Sequence, residues 1–257
     1  MTLTMFFAGS AAVMLGAVLQ AATGFGAGLI IVPLLALVSL EFLPAPLILA
    51  SMSLSAIMAW QGRHHIVRQG LPALLAGLLA GIVLGAVSIS AIPASRAGVI
   101  FGVLVLIAVA VSAFAPRAPR NVPVSLGAGA LSGFMGTISA IGAPVLALLY
   151  QHEEGRALRA TLGLLYFAGS VAMLVFLHFA GRFGAHEAVL GLWLIPAYAS
   201  GFFLAAPMAR VLDRGHTRIA VLLISCAAAV ALIARSVVGG VAGAGFAGWP
   251  GTPAHPA

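Results

Sequence analysis

Two stretches of this chain place glycines beside hydroxyl and amide side chains within otherwise apolar sequence. The first runs Gln20-Ala21-Ala22-Thr23-Gly24-Phe25-Gly26-Ala27-Gly28, the second Gly133-Phe134-Met135-Gly136-Thr137-Ile138-Ser139-Ala140-Ile141-Gly142. A proline follows each, at Pro33 and Pro144. Helix propensity is poor in both places, so each reads as a helix broken inside a membrane. A half-helix that restarts there aims free N–H groups and the positive end of its dipole into the protein interior. Glycine lets a ligand approach that backbone closely, and such a tip holds an anion without a buried cation. The chemistry on offer is the binding of a small oxyanion. Its expected contacts are Gln20, Thr23, Gly24, Phe25 and Gly26 from the first break, and Thr137, Ser139, Gly142 and Pro144 from the second.

Each of these residues also has a purely structural reading. Gly24 and Gly28 are spaced for close helix packing, and intramembrane hydroxyls commonly bond a carbonyl one turn back. Ser51 and Ser55 correspond, at a constant offset, to Tyr166 and Ser170. Those four would line one cavity or hydrogen-bond helix to helix, and both readings stay open. Gly77, Gly81 and Gly85 read as a packing face, one that would permit a homodimer.

Other chemistries find little support. His64 and His65 are adjacent, face different directions and lack a third ligand, so they read as a solvated loop and no metal is expected. All five carboxylates, Glu41, Glu153, Glu154, Glu187 and Asp213, fall in expected loops, which leaves no mid-membrane acid for a cation or proton carrier. An intramembrane hydrolase needs a nucleophile activated by a placed base, yet only His178 lies near membrane depth and no Gly-x-Ser-Gly elbow occurs. Cys226 is the single cysteine, so no intrachain disulfide forms. Trp60, Trp193 and Tyr198 read as interface or core markers. No enzyme activity, organic cofactor or nucleic-acid partner is expected.

The elements that must position the two breaks follow from composition. Of 257 residues, 62% are hydrophobic and 7% charged, which excludes a soluble enzyme, a nucleic-acid binder or a large extramembrane domain. A bilayer core of about 30 Å takes about 20 helical residues, and apolar runs of roughly that length fill the chain. The fold expected is an all-α polytopic membrane protein in the lipid bilayer. Residues 1–115 and 122–238 form its two transmembrane repeats, joined by a cytoplasmic linker at 116–121 and followed by a disordered tail at 239–257. Residues 3–22 lack a basic n-region and read as mature protein, not as a signal peptide.

A constant offset carries Gly16-Ala17 onto Gly127-Ala128, Ile30 onto Ile141, Pro33 onto Pro144 and Leu35-Ala36-Leu37 onto Leu146-Ala147-Leu148. Each half reads as a broken or re-entrant helix pair plus three transmembrane helices. All twelve basic residues are arginine. If 122–150 dips in and returns, one side of the membrane holds Arg63, Arg68, Arg117, Arg120, Arg156, Arg159, Arg210, Arg214 and Arg218. The other side keeps only Arg96, Arg182 and Arg235. That bias is what the positive-inside rule expects. It places both termini in the periplasm and makes the second half an inverted copy of the first.

The strings GFGAGLIIVP at 24–33, SGFMGTISAIGAP at 132–144 and AWQGRHHIVRQG at 59–70 resemble the TauE/SafE family of sulfite exporters. The resemblance spans about 5–238, although Ala27, Ser139, Ala140 and Ala143 interrupt the glycine run expected before each proline. It implies export of sulfite, sulfoacetate or a related organosulfonate across the bacterial inner membrane. Paired broken helices in inverted repeats imply a secondary transporter that alternates access to a midplane site. The alternatives are transport of sulfate or a carboxylate, import in place of export, a non-transporting membrane scaffold, and an intramembrane hydrolase.

Overall fold

In the computed structural model the described residues are 3–23, 27–114, 119–153, 155–212 and 216–242. They are almost entirely helical. The first half comprises α1 (Leu3–Thr23), α2 (Ala27–Val38), α3 (Ala45–Gln61), α4 (Leu71–Ser90) and α5 (Ala94–Phe114). The second comprises α6 (Val122–Ser139), α7 (Ala143–Leu149), α8 (Gly155–Phe179), α9 (Ala185–Leu212) and α10 (His216–Ala242). Helix α10 thus extends through 239–242 of the expected tail, and the remainder of that tail lies outside the described residues.

Among the described residues five helices are long and apolar enough to cross a membrane: Leu71–Ser90, Arg96–Phe114, Val122–Ser139, Gly155–Phe179 and Ala185–Ala205. Their outward faces stay apolar. On α4, Leu79, Leu84 and Val87 are exposed while Leu78 and Ile82 on the inner face are buried. A helix apolar on every face belongs in lipid. The chain is a multi-pass, all-α membrane protein.

Both broken segments are hairpins. Asn121 caps α6, its side-chain oxygen accepting from the Val124 N–H at 3.0 Å, and Pro123 fits the first turn. Helix α6 ends at Ala140, whose left-handed backbone (φ 60°) turns the chain back. Ser132 Oγ, partway along α6, donates to the Gly142 carbonyl at 2.9 Å, so α7 descends beside α6. At the base, Arg120 pairs with Glu153 at 2.5 Å and stacks over the Tyr150 ring. Helices α1 and α2 also pack against each other. Gly9 on α1 faces Leu35 near the end of α2 and Phe42 just beyond it.

The hairpins enter from opposite ends of α3. The first leads directly into the N-terminus of α3, whereas the second leads into α8, whose first turns meet the C-terminus of α3. There Gly62 packs on Ala160, and the Val67 N–H donates to Thr161 Oγ1 at 2.9 Å. The packing partners are also shared between halves. Helix α1 lies on α9 as α6 lies on α4, α2 on α10 as α7 on α5, and α3 on α9 as α8 on α4. Two further cross-half contacts, α3 with α8 and α5 with α10, pair equivalent helices.

The glycine row of α4 is used inside the chain. A Cβ on Gly77 or Gly81 would overlap backbone carbonyls of Leu126 or Ala130 on α6, and one on Gly129 or Gly133 would overlap those of Leu74 or Leu78 in return. Small residues let the two backbones touch. The row is the packing face that its spacing suggested, and its partner is α6 of the same chain.

Candidate functional site

The hairpin tips converge on the middle of the bundle. Gly28, in the first turn of α2, faces the carbonyl oxygen of Ala140 at the α6–α7 turn. Beside this meeting point lies a cavity of about 70 Å³. Its walls come from both halves: Leu47, Ser51 and Ser55 from α3, Leu165, Tyr166 and Ser170 from α8, and Gln20, Gly142 and Tyr198 from α1, the second break and α9. Liquid water occupies about 30 Å³ per molecule, so the space suits one small ion stripped of most of its hydration.

Among the described residues no Arg, Lys, His, Asp or Glu lines this cavity. What it offers instead is neutral hydrogen-bonding groups, and these divide into two sets. Four are engaged by backbone. Ser51 Oγ donates to the Ile48 carbonyl and Ser55 Oγ to the Ser51 carbonyl, both at 2.9 Å. Tyr166 Oη donates to the Ala143 carbonyl at 3.3 Å, and Ser132 Oγ to that of Gly142. The last two bonds tie the second break to α6 and α8. In the other set, the side chains of Gln20, Ser170 and Tyr198 line the cavity without a hydrogen bond among the described residues. All three are buried, at 6%, 6% and 2% exposure. A small anion held in the cavity can accept hydrogen bonds from the Gln20 N–H and from the Ser170 and Tyr198 O–H.

The expected contacts sort as follows. Gln20, Gly142, Ser51, Ser55, Tyr166 and Ser170 come together on this one cavity. Thr137 and Ser139 are buried, but each hydroxyl donates one turn back, to the Gly133 carbonyl at 2.7 Å and the Met135 carbonyl at 2.8 Å, and neither lines the cavity. Pro144 is buried in the first turn of α7 and does not line it either. Gly24, Phe25 and Gly26 lie outside the described residues, as does the side chain of Thr23.

Tyr198 and Ser132 are lining residues that sequence reasoning did not single out as contacts. Trp60 and Trp193, grouped with Tyr198 as interface or core markers, are largely exposed, whereas Tyr198 is buried on the cavity. A lone hydroxyl in a long apolar run was the signal available for it.

A family model described as "Sulfite exporter TauE/SafE" matches residues 9–232. No curated protein and no solved structure matches the chain.

Proposed function

Because the chain belongs to the TauE/SafE family of sulfite exporters, we propose that it is a secondary transporter that carries a small sulfur-containing anion, sulfite or an organosulfonate, out of the cell. The observation that carries this reading is the cavity at the hairpin tips, where the described lining is uncharged and Gln20, Ser170 and Tyr198 present hydrogen-bonding groups without a partner among the described residues. Neutral donors in a low-dielectric site hold an anion firmly enough to select it and release it more readily than a buried arginine would.

The two halves act as an inverted repeat in this proposal. Entry of the hairpins from opposite ends of α3, and the exchange of packing partners between halves, support it. The arginine-rich end faces the cytoplasm of a bacterial inner membrane, which leaves both termini periplasmic. Rocking one half against the other at the α3–α8 contact opens the cavity alternately to each side.

The test is flux. Purified protein in liposomes should move sulfite or sulfoacetate down an imposed gradient, with chloride a poor competitor. Absence of sulfite, sulfonate and sulfate flux from well-folded protein would overturn the reading.

A further inference from the structure

A second, larger cavity of about 370 Å³ opens near the arginine-rich end of the same helices. Gln61 and His65, at and just beyond the end of α3, line it together with Arg156 and Arg159 from the first turns of α8. Among the described residues no carboxylate lines it. Arg63, Arg120 and Arg235 are occupied elsewhere, on the Trp60 ring, on Glu153 and on the Leu37 carbonyl. Arg156 and Arg159 make no ion pair or hydrogen bond among the described residues, and the positive end of the α8 dipole adds to their field. The cavity is basic, open and roomy enough for an anion with its water.

One helical turn separates it from the central cavity. Met58 lines the outer cavity and Ser55 the inner one, while on α8 Ala160 lines the outer and Leu165 the inner. Between them the helices cross in direct contact. A Cβ on Gly163 would lie 2.8 Å from both the Ala59 nitrogen and Met58 Cβ, so the two helices pack closely at the crossing.

We propose that the cavity bounded by Gln61, His65, Arg156 and Arg159 is a second anion site, where a small oxyanion docks before it sheds water and passes the α3–α8 crossing. This rests on the transport reading. Arginines gather the anion by charge and tolerate its hydration shell, and the neutral inner cavity selects it once stripped.

The experiment uses the full chain in liposomes of uncharged lipid, with sulfite presented at the arginine-rich face. In R156Q/R159Q the initial rate at low sulfite should fall about tenfold, and the deficit should shrink toward saturation. R156K/R159K should restore most of the loss. A rate profile in R156Q/R159Q equal to that of the parent would overturn the proposal. So would a variant that loses co-purified phosphatidylglycerol while its sulfite profile stays unchanged, because the site would then hold a lipid headgroup. If the parent moves no sulfite, the transport reading fails separately. Equilibrium binding of inorganic sulfate and sulfite to detergent-purified protein then decides: weaker binding in R156Q/R159Q supports the site, equal binding refutes it. Should the double variant not fold, R156Q alone and H65Q are read in the same way.

Discussion

Gly28 and Ala140 hold the two broken segments tip to tip: a Cβ built on Gly28 would lie 3.0 Å from the Ala140 carbonyl oxygen. One residue starts α2 and the other ends α6, so a contact far apart in sequence sets how closely the hairpins approach. The cavity lies beside that contact, and its shape depends on it.

Lengthening the side chain at Gly28 should therefore separate the tips. Gly28→Ala needs a few tenths of an ångström of movement, and Gly28→Val needs more. We expect Gly28→Val to lower stability by about 1–3 kcal/mol, as overpacking does, and to reduce sulfite flux at least tenfold. Gly28→Ala should retain partial flux. Melting temperature in detergent and flux in liposomes check both, and full activity in Gly28→Val would sink the idea that the tip contact shapes the site.

The unengaged and the back-bonded hydroxyls should respond differently. Ser170→Ala and Tyr198→Phe remove groups with no partner among the described residues, so stability should change by no more than about 0.5 kcal/mol. A hydrogen bond to a charged ligand contributes about 1.5–3 kcal/mol, so sulfite affinity should weaken at least tenfold in each. Thr137→Val and Ser139→Ala give up only a bond within α6, and affinity should stay within about twofold. Calorimetric titration separates the sets, and an equal loss in all four would show that the hydroxyl pattern does not define the site.

Much of this was legible in the sequence, for identifiable reasons. Glycine and proline punctuate helices by backbone mechanics alone, so the breaks near 24–28 and 139–142 could be placed without a structure. The offset linking Ser51 and Ser55 to Tyr166 and Ser170 brought four residues to attention that share one cavity wall. Spacing, however, records a face and not what covers it. Gly77, Gly81 and Gly85 announced a close approach, but only tertiary packing identifies α6 as the neighbour. Thr137 and Ser139 suited ligand contact and back-bonding equally, because a hydroxyl one turn above a carbonyl has both options. Tyr198 sits in an unbroken apolar run, where nothing in the spacing tells an inward phenol from an outward one.

The α4–α6 contact gives a prediction about folding, separate from transport. Gly81 and Gly133 both face backbone atoms, which cannot rotate away as a side chain can. Gly81→Ala should cost about 1–3 kcal/mol, and Gly81→Ala with Gly133→Ala should leave little folded protein. Gly127, with nothing within 4 Å of its built Cβ, is the control on α6: Gly127→Ala should be neutral or stabilising by up to about 1 kcal/mol. Thermal denaturation in detergent orders the three. Equal melting temperatures would mean that the helices separate without penalty.

Ala140 offers the converse test, a site where glycine should improve matters. Its φ of 60° lies in the left-handed region, where a Cβ costs roughly 1–2 kcal/mol and glycine is the usual occupant at a helix end. Ala140→Gly should remove that strain, offset in part by greater freedom of the unfolded chain, for a net gain of about 0.5–1 kcal/mol. Ala140→Val adds a β-branched side chain to the same backbone and should lose at least about 1 kcal/mol. Flux adds a second readout, because Ala140 lines the cavity and its carbonyl meets Gly28. If the strained turn holds the second hairpin tip in place for the anion, Ala140→Gly should melt higher yet bind sulfite more weakly. If affinity instead rises with stability, the strain at Ala140 serves the fold alone, and the tip is positioned by the Ser132–Gly142 and Tyr166–Ala143 bonds.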